Sequence, residues 1–96
     1  MSAENPMLWG KKELTNDFNY SLTFCFTATR QIGRLDIYAV HPTTFQVLDY
    51  INDIDLQFGE VDFLVLPDQT FAVKWGNRIH AKYHPITLQR LKEGEF

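Results

Sequence analysis

Apolar and polar residues alternate strictly between positions 18 and 27. The apolar positions are Phe18, Tyr20, Leu22, Phe24 and Phe26. A period of two is typical of a strand with one buried face, because successive side chains of a strand point to opposite sides. Leu35, Ile37 and Ala39 resume the alternation. An even-length loop, 32–33 or 30–33, would keep both apolar sets on one face, so the pattern predicts a β-hairpin.

Two similar octapeptides follow predicted strands: HPTTFQVL, which begins at His41, and HPITLQRL, which begins at His84. Proline suits the first position of a helix, and the residue before it favours extended geometry. Each His-Pro dipeptide therefore predicts a strand-to-helix junction. A glycine precedes each octapeptide at the same distance. The recurrence fits a degenerate duplication and equally a convergence of two junctions.

Both octapeptides predict a helix. In the first, apolar residues recur every three positions: Phe45, Leu48, Ile51 and Ile54. Thr43 and Gln46 fit a T-x-x-Q capping box at the start of this helix, which should run for about ten residues. The second helix is shorter, turns Leu88 and Leu91 inward, and ends near Gly94.

Three more strands are predicted between the helices. They cover 60–66, 71–75 and 79–83. The later part of the first of them is apolar on both faces, which is typical of a central strand. A three-residue loop at 76–78 would place Trp75 opposite Ile79, with Trp75 facing inward. Register therefore favours that loop over a two-residue one.

These elements predict an α+β fold in two layers. Their order is β-β-α-β-β-β-α, with a mainly antiparallel five-stranded sheet and both helices on one face. The domain is expected to cover 16–96, after a flexible N-terminal arm at 1–15. A chain of 96 residues with 45% apolar content is sufficient for one hydrophobic core.

Charge and cysteine content bear on the class of protein. A net charge of −3 argues against a general polyanion binder, and twelve Asp and Glu residues are too few for an acidic mimic of nucleic acid. Cys25 is the only cysteine, which excludes an intrachain disulfide and a cysteine zinc cluster. We see neither a leader-like N-terminus nor an apolar run of membrane-spanning length, and therefore expect a cytoplasmic protein without membrane contact.

His41 and His84 are the candidates for metal binding or acid–base catalysis, with Asp36 or Tyr83 as an accompanying group. His80 cannot share a metal with His84, because four residues of a strand span about 13 Å. We favour a structural role, in which each histidine flanks a helix start and bonds its backbone. The glycines are dispersed and form no phosphate-binding motif. We therefore predict a non-enzyme that needs neither metal nor cofactor.

Charge is unevenly distributed along the chain. No Lys or Arg lies between Arg34 and Lys74. Lys74, His80 and Lys82 then share the outward parity of one hairpin, and Arg78 lies in its loop. These four residues are candidate contacts for single-stranded nucleic acid, which is bound by charge and aromatic stacking. Cations on a solvated hairpin are also ordinary, so nucleic-acid binding is the alternative function.

One group of apolar residues has no role in the predicted core. It consists of Tyr38, Val40, Leu64 and Leu66. If both helices cover one face of the sheet, these side chains leave an apolar patch on the other, and such patches usually mark association surfaces. The leading hypothesis is a non-catalytic protein-binding or self-associating module. It could act as a regulator or inhibitor of a larger protein, or form a homodimer.

Overall fold

Seven β-strands and one short 3₁₀ helix make up the described part of the chain, residues 10–28 and 33–92, in this computed structural model. The strands are β1 (Gly10–Thr15), β2 (Ser21–Ala28), β3 (Arg34–Val40), β4 (Val47–Asp55), β5 (Val61–Val65), β6 (Phe71–Trp75) and β7 (Arg78–Tyr83). The 3₁₀ helix, Leu56–Phe58, connects β4 to β5. The described residues contain no α-helix, and none of their helices is long and apolar enough to cross a membrane.

Two antiparallel sheets, β1-β2-β3-β4 and β5-β6-β7, pack their inner faces against each other. Phe24 of β2 stacks on Phe63 of β5 with ring centroids 4.8 Å apart, and meets Tyr83 of β7 edge-on at 5.6 Å. Phe24, Phe71 and Tyr83 are fully buried. Each such side chain contributes about 1.5–3 kcal/mol of transfer free energy. The core is therefore a single layer shared by both sheets.

The predicted α+β class is wrong, because the segment expected to form the first helix is strand β4. Two register shifts interrupt the pairing of β3 with β4, and Asp53 has a positive φ of 63°. A bulge inserts a residue and changes which face the following side chains point to. Ile51 and Ile54, three positions apart, can therefore both face the core. Their three-residue spacing is therefore the same as the spacing of apolar residues on one face of a helix.

The second predicted helix is also absent from the described residues. After the loop that begins at His84, the chain returns along β7. Tyr83 forms a bridge with Arg90, and the Leu91 amide donates to the Lys82 carbonyl at 2.8 Å. Leu88 is buried, as expected, but in a loop rather than a helix. The predicted helix end at Gly94 lies outside the described residues.

The first predicted hairpin is confirmed in its pairing. Phe26 pairs with Ile37 and Phe24 with Ala39, which places the two apolar sets on one face. Most of its predicted loop, 30–33, lies outside the described residues. β1 pairs along its whole length with β2, so residues 10–15 of the predicted arm belong to the sheet, and 1–9 lie outside the described residues.

The order of elements repeats between the two halves of the fold. Each half has a strand, a turn, two more strands and a His-Pro loop. The turns match in detail: Asn16 N donates to Tyr20 O and Leu66 N to Thr70 O, both at 2.9 Å. β1 and β5 are equivalent in this comparison. The repeat therefore extends beyond the octapeptides.

Candidate functional site

The two His-Pro loops, 41–46 and 84–89, share one set of hydrogen bonds. The Nδ1 atom of His41 accepts from the backbone amides of 43–44 at 3.1 and 3.2 Å, and that of His84 from the amides of 86–87 at 3.1 Å each. In each loop the histidine carbonyl also accepts from the amide four residues later. The expectation that each histidine bonds nearby backbone is therefore confirmed, whereas the helices that should follow are not formed.

A positive φ ends each of these loops after one α-turn. Phe45 has φ 62° and Leu88 has φ 67°, a conformation that cannot continue a right-handed helix. The imidazole of each histidine is thus engaged within its own loop. Within residues 10–28 and 33–92, no three His, Cys, Asp or Glu side chains gather closely enough to hold a metal ion.

Four loops meet at one end of the sandwich, here called the loop end: 16–20, 41–46, 66–70 and 84–89. The first two lie at neighbouring strand ends of one sheet and the last two at neighbouring strand ends of the other. Asn16, which is 4% exposed, joins the sheets. Its Nδ2 donates to Gln69 O at 3.0 Å and to Pro85 O at 2.9 Å. Its Oδ1 accepts from two amides of its own loop, so Asn16 holds three of the four loops together: 16–20, 66–70 and 84–89.

Large apolar side chains are exposed mainly at the loop end. Of the eight in the described residues, four lie in its loops, namely Phe18, Tyr20, Phe45 and Ile86, and two, Val47 and Leu48, directly follow the loop 41–46 at the start of β4. Phe45 is the most exposed of them at 73%. Its counterpart in the second loop, Leu88, is 5% exposed. Clustered exposure of this kind is typical of an association surface rather than of scattered surface residues.

The loop end carries carboxylates and no cation within its four loops. Asp17 is exposed, and its Oδ2 accepts from Gln69 Nε2 at 3.3 Å. Asp68 accepts from the Thr70 hydroxyl at 2.6 Å, and this bond is the largest cause that lowers the pKa of the Asp68 carboxyl. The Lys82 ammonium lies 3.5 Å from Asp68 and offsets its charge, so the exposed Asp17 gives this apolar surface its negative character.

A second feature lies at the opposite end, where a bulge interrupts the pairing of β6 with β7. Val73 pairs with Ala81 as predicted, but Trp75 pairs with Arg78 around a two-residue turn. The predicted three-residue loop is therefore wrong. A register shift after Val73 supplies the extra residue instead. Bulges are commonly found where a side chain is redirected towards a site.

Residues around this bulge line a cavity of about 750 Å³, here called the Trp75 pocket. Its described lining consists of Trp75, Arg78, Ile79, His80, Arg90, Leu91 and Lys92. β6 and β7 supply the first four of these residues, and the returning segment 90–92 supplies the rest. The pocket thus lies between the start of β7 and the chain that follows the second His-Pro loop.

The Trp75 ring is fixed from several sides. Its Nε1 donates to the Asp55 carbonyl at 3.1 Å. Phe58 and His80 meet the indole edge-to-face, with centroids 6.4 and 5.4 Å away. In the turn that follows Trp75, a Cβ added to Gly59 (φ 141°) would lie 2.5 Å from the Gly76 Cα, so only glycine fits there. The indole is therefore held in place before any ligand binds.

The lining of the Trp75 pocket is cationic. Its described residues include Arg78, Arg90 and Lys92, and none of them is a carboxylate. Burial lowers the pKa of His80, and the charges of Arg90 and Arg78 lower it further. Arg90 also contacts Asp49 Oδ2 at 3.4 Å, and the buried Tyr83 hydroxyl donates to the same atom at 2.6 Å. Burial is the largest cause that raises the pKa of the Tyr83 phenol, so this group remains a donor.

The structure does not gather the four residues of the predicted apolar patch. Tyr38 and Val40 lie on β3 of one sheet, whereas Leu64 lies on β5 of the other and Leu66 directly follows it. Val40 is 7% exposed, and the other three are half-buried. Tyr38 stacks on Tyr50 at 4.9 Å. The patch was predicted on the assumption that helices cover one face of a single sheet, and no helix covers either sheet in the described residues.

The four predicted nucleic-acid contacts are divided between two locations. Arg78 and His80 line the Trp75 pocket. Lys82 instead lies 3.5 Å from Asp68, with its side chain 12% exposed, and Lys74 is half-buried. Sequence reasoning missed Arg90, which it assigned to a helix. The repeated octapeptide could have identified it, because a second loop of the same type returns the chain to β7.

Comparison with protein-family models, with curated proteins and with solved structures finds no match for this chain.

Proposed function

We propose that this protein is a non-catalytic protein-binding module whose binding surface is the loop end. The observation that carries the proposal is the concentration of exposed apolar side chains there: four of the eight in the described residues lie in its loops, and two more lie at the adjoining start of β4. Partner-binding surfaces combine an apolar centre with a polar rim. The loops supply both from a rigid sandwich, which is a common arrangement for recognition.

The chemistry of the partner follows from the charge of this surface. Asp17 and Asp68 are carboxylates, and the four loops contain no Lys or Arg. A partner with apolar side chains flanked by Lys or Arg would complement it. Two copies placed loop end to loop end would bring carboxylates together, and an anionic lipid surface would be repelled. We therefore propose a different protein as the occupant, and a cytoplasmic location in keeping with the lone Cys25.

The state of the potential catalytic groups supports a non-catalytic role. The Nδ1 atoms of His41 and His84 accept amides of their own loops. The Tyr83 phenol is buried and has a raised pKa, so it is a poor base at neutral pH. These groups contribute to the fold rather than to a reactive cluster.

The test compares three forms of the tagged protein. They are the wild type, a Phe45→Ser/Val47→Ser variant of the loop end, and a Phe58→Ser control. Phe58 is 68% exposed and lies at the other end, so the control loses a comparable apolar surface elsewhere. We expect a specific protein to be captured by the wild type and by the control but not by the loop-end variant. Salt should weaken that capture.

Other occupants give different results in the same experiment. Sedimentation could instead show concentration-dependent dimers that only the loop-end variant fails to form. That result would mean that a second copy of the chain, and not a different protein, occupies the loop end. Binding to neutral phosphatidylcholine vesicles that requires Phe45 would mean that the loop end binds a lipid surface and not a protein. Identical capture by all three forms would refute the loop end as the binding surface.

A further inference from the structure

The Trp75 pocket is separate from the loop end, and its composition indicates a small ligand rather than a protein surface. Its volume of about 750 Å³ is within the range of ligand sites, about 300–1,000 Å³. Small-molecule sites combine apolar walls with a few convergent polar groups. Trp75, Ile79 and Leu91 provide the walls here, and the cationic side chains provide the polar groups.

The aromatic wall favours a ligand with a flat ring. The indole of Trp75 is oriented by its hydrogen bond to Asp55 O and by the edge contacts of Phe58 and His80. A ring that is already fixed loses little conformational entropy when a second ring stacks on it. Stacking on an aromatic side chain contributes favourably to the binding of a nucleobase.

The charge of the pocket favours phosphate over carboxylate. Arg78 and Arg90 are positively charged, and the described lining contains no acid. Asp49 offsets part of the Arg90 charge, which leaves more than one unit for a ligand. Arg78 makes no ion pair within the described residues. Its guanidinium can therefore bind a phosphate with two parallel hydrogen bonds.

The charges outside the pocket favour the binding of a single nucleotide over the binding of a long nucleic-acid strand. The chain from 35 to 73 contains no Lys or Arg. At the Trp75 end, Asp53 and Asp55 face Arg34, and Glu60 follows Gly59. A strand that extended beyond the pocket towards these residues would meet negative charge, and long polyanions need many cationic contacts.

From these observations we propose that the Trp75 pocket binds a mononucleotide, with the base on Trp75 and the phosphate between Arg78 and Arg90. The pocket would then be a second site, independent of the proposed protein-binding surface. Binding the nucleotide would also connect segment 90–92 to the start of β7, whereas the described backbone bonds join this segment to the end of β7, at Tyr83 and Lys82.

The experiment uses the Trp9→Phe protein, in which Trp75 is the only tryptophan. Its indole N–H signal is followed by NMR during titration with adenosine 5′-monophosphate, adenosine, inorganic phosphate and octathymidylate. We expect the monophosphate to shift the Trp75 signal with saturation, and adenosine and phosphate alone to bind at least tenfold more weakly. Arg78 is exposed, so Arg78→Gln should keep the fold and weaken monophosphate binding about tenfold.

Lys11→Gln is the matched control, because it removes one positive charge from an exposed position on β1. It should leave monophosphate affinity unchanged. No shift at millimolar monophosphate, equal affinity for inorganic phosphate, or an equal effect of Lys11→Gln would each overturn the proposal. Octathymidylate that binds more than a hundredfold tighter than the monophosphate would overturn the assignment to a free nucleotide.

Discussion

The two halves of the fold use the same His-Pro loop but continue differently after it. The first loop leads into β4, whose nine residues pair along β3. The second leads to one bridge, between Tyr83 and Arg90, and one further backbone bond at Lys82. In the first half, the end of β4 pairs with the start of β3. In the second half, the equivalent start of β7 lines the Trp75 pocket.

This difference shows how a repeated element can acquire different surroundings. The fourth residue after each histidine has the same positive φ in both loops, yet Phe45 is exposed and Leu88 is buried. The loop backbone is therefore set by its own hydrogen bonds and not by burial of that side chain. The following four predictions test this comparison, in order of decreasing effect.

Truncation at this shared position should affect the two halves very differently. We expect Leu88→Ala to lower the free energy of unfolding by about 2–5 kcal/mol, because it leaves a cavity in the core. Phe45→Ala should change it by less than about 0.5 kcal/mol, since the ring is exposed. Denaturant titration of both variants gives the comparison. Similar losses would mean that Phe45 is buried in solution.

The contact that Tyr83 makes between the two halves should also contribute to the stability of the fold. Its hydroxyl donates to Asp49 Oδ2 at 2.6 Å in a partly buried site. Tyr83→Phe should lower the free energy of unfolding by about 1–3 kcal/mol, because Asp49 loses a buried donor. Tyr50→Phe is the control, since the exposed Tyr50 also bonds an aspartate, Asp36. Equal losses in denaturant titration would contradict a special role for the buried pair.

The two histidines should contribute equally to the stability of the fold. Each imidazole accepts two amides in the manner of a helix cap, so His41→Ala and His84→Ala should each cost about 0.5–2 kcal/mol. Asparagine can accept the same amides through its side-chain oxygen. Thermal melts of both alanine and both asparagine variants provide the measurement. A large loss at one histidine only, or no rescue by asparagine, would refute the shared device.

Substitution of His80 should change the stability of the fold least of the four, and the size of this change should depend on pH. Its pKa is lowered in the folded state by burial, by Arg90 and by Arg78. The unfolded chain therefore binds the proton first as pH falls below 6.5, and the folded state loses stability there. We expect His80→Gln to lose less stability than the wild type between pH 7.5 and 5. Parallel curves of melting temperature against pH would contradict the lowered pKa.

Strand β2 could be predicted because local pattern and tertiary structure agree there. Its alternation places Leu22 and Phe24 in the core without any register shift. β4 could not be predicted in this way, because its side-chain direction depends on two bulges and on the positive φ of Asp53. These arise from pairing with β3, and a short window of sequence does not contain that information.

The His-Pro segments were interpreted correctly at their starts and incorrectly in length. His41 does act as a cap, and the Phe45 amide does donate to the carbonyl four residues before it. Propensity and capping signals describe that first turn only. The positive φ at Phe45 ends it, although nothing about phenylalanine indicates such a conformation. The inward position of Trp75 was predicted correctly, since its Nε1 donates to the Asp55 carbonyl of the other sheet. The Trp75 pocket was missed because the bulge places Arg78 rather than Ile79 opposite Trp75.

The hydrogen bonds of Asn16 have a consequence for folding kinetics. Its amide joins carbonyls that lie 53 and 69 residues further along the chain, whereas each meander is formed from neighbouring segments. Contacts at such separation require costly loop closure and are expected to form after the local hairpins. Asn16→Ala should therefore accelerate unfolding much more than it slows folding. The residue that joins the two sheets would then govern how long the folded state persists.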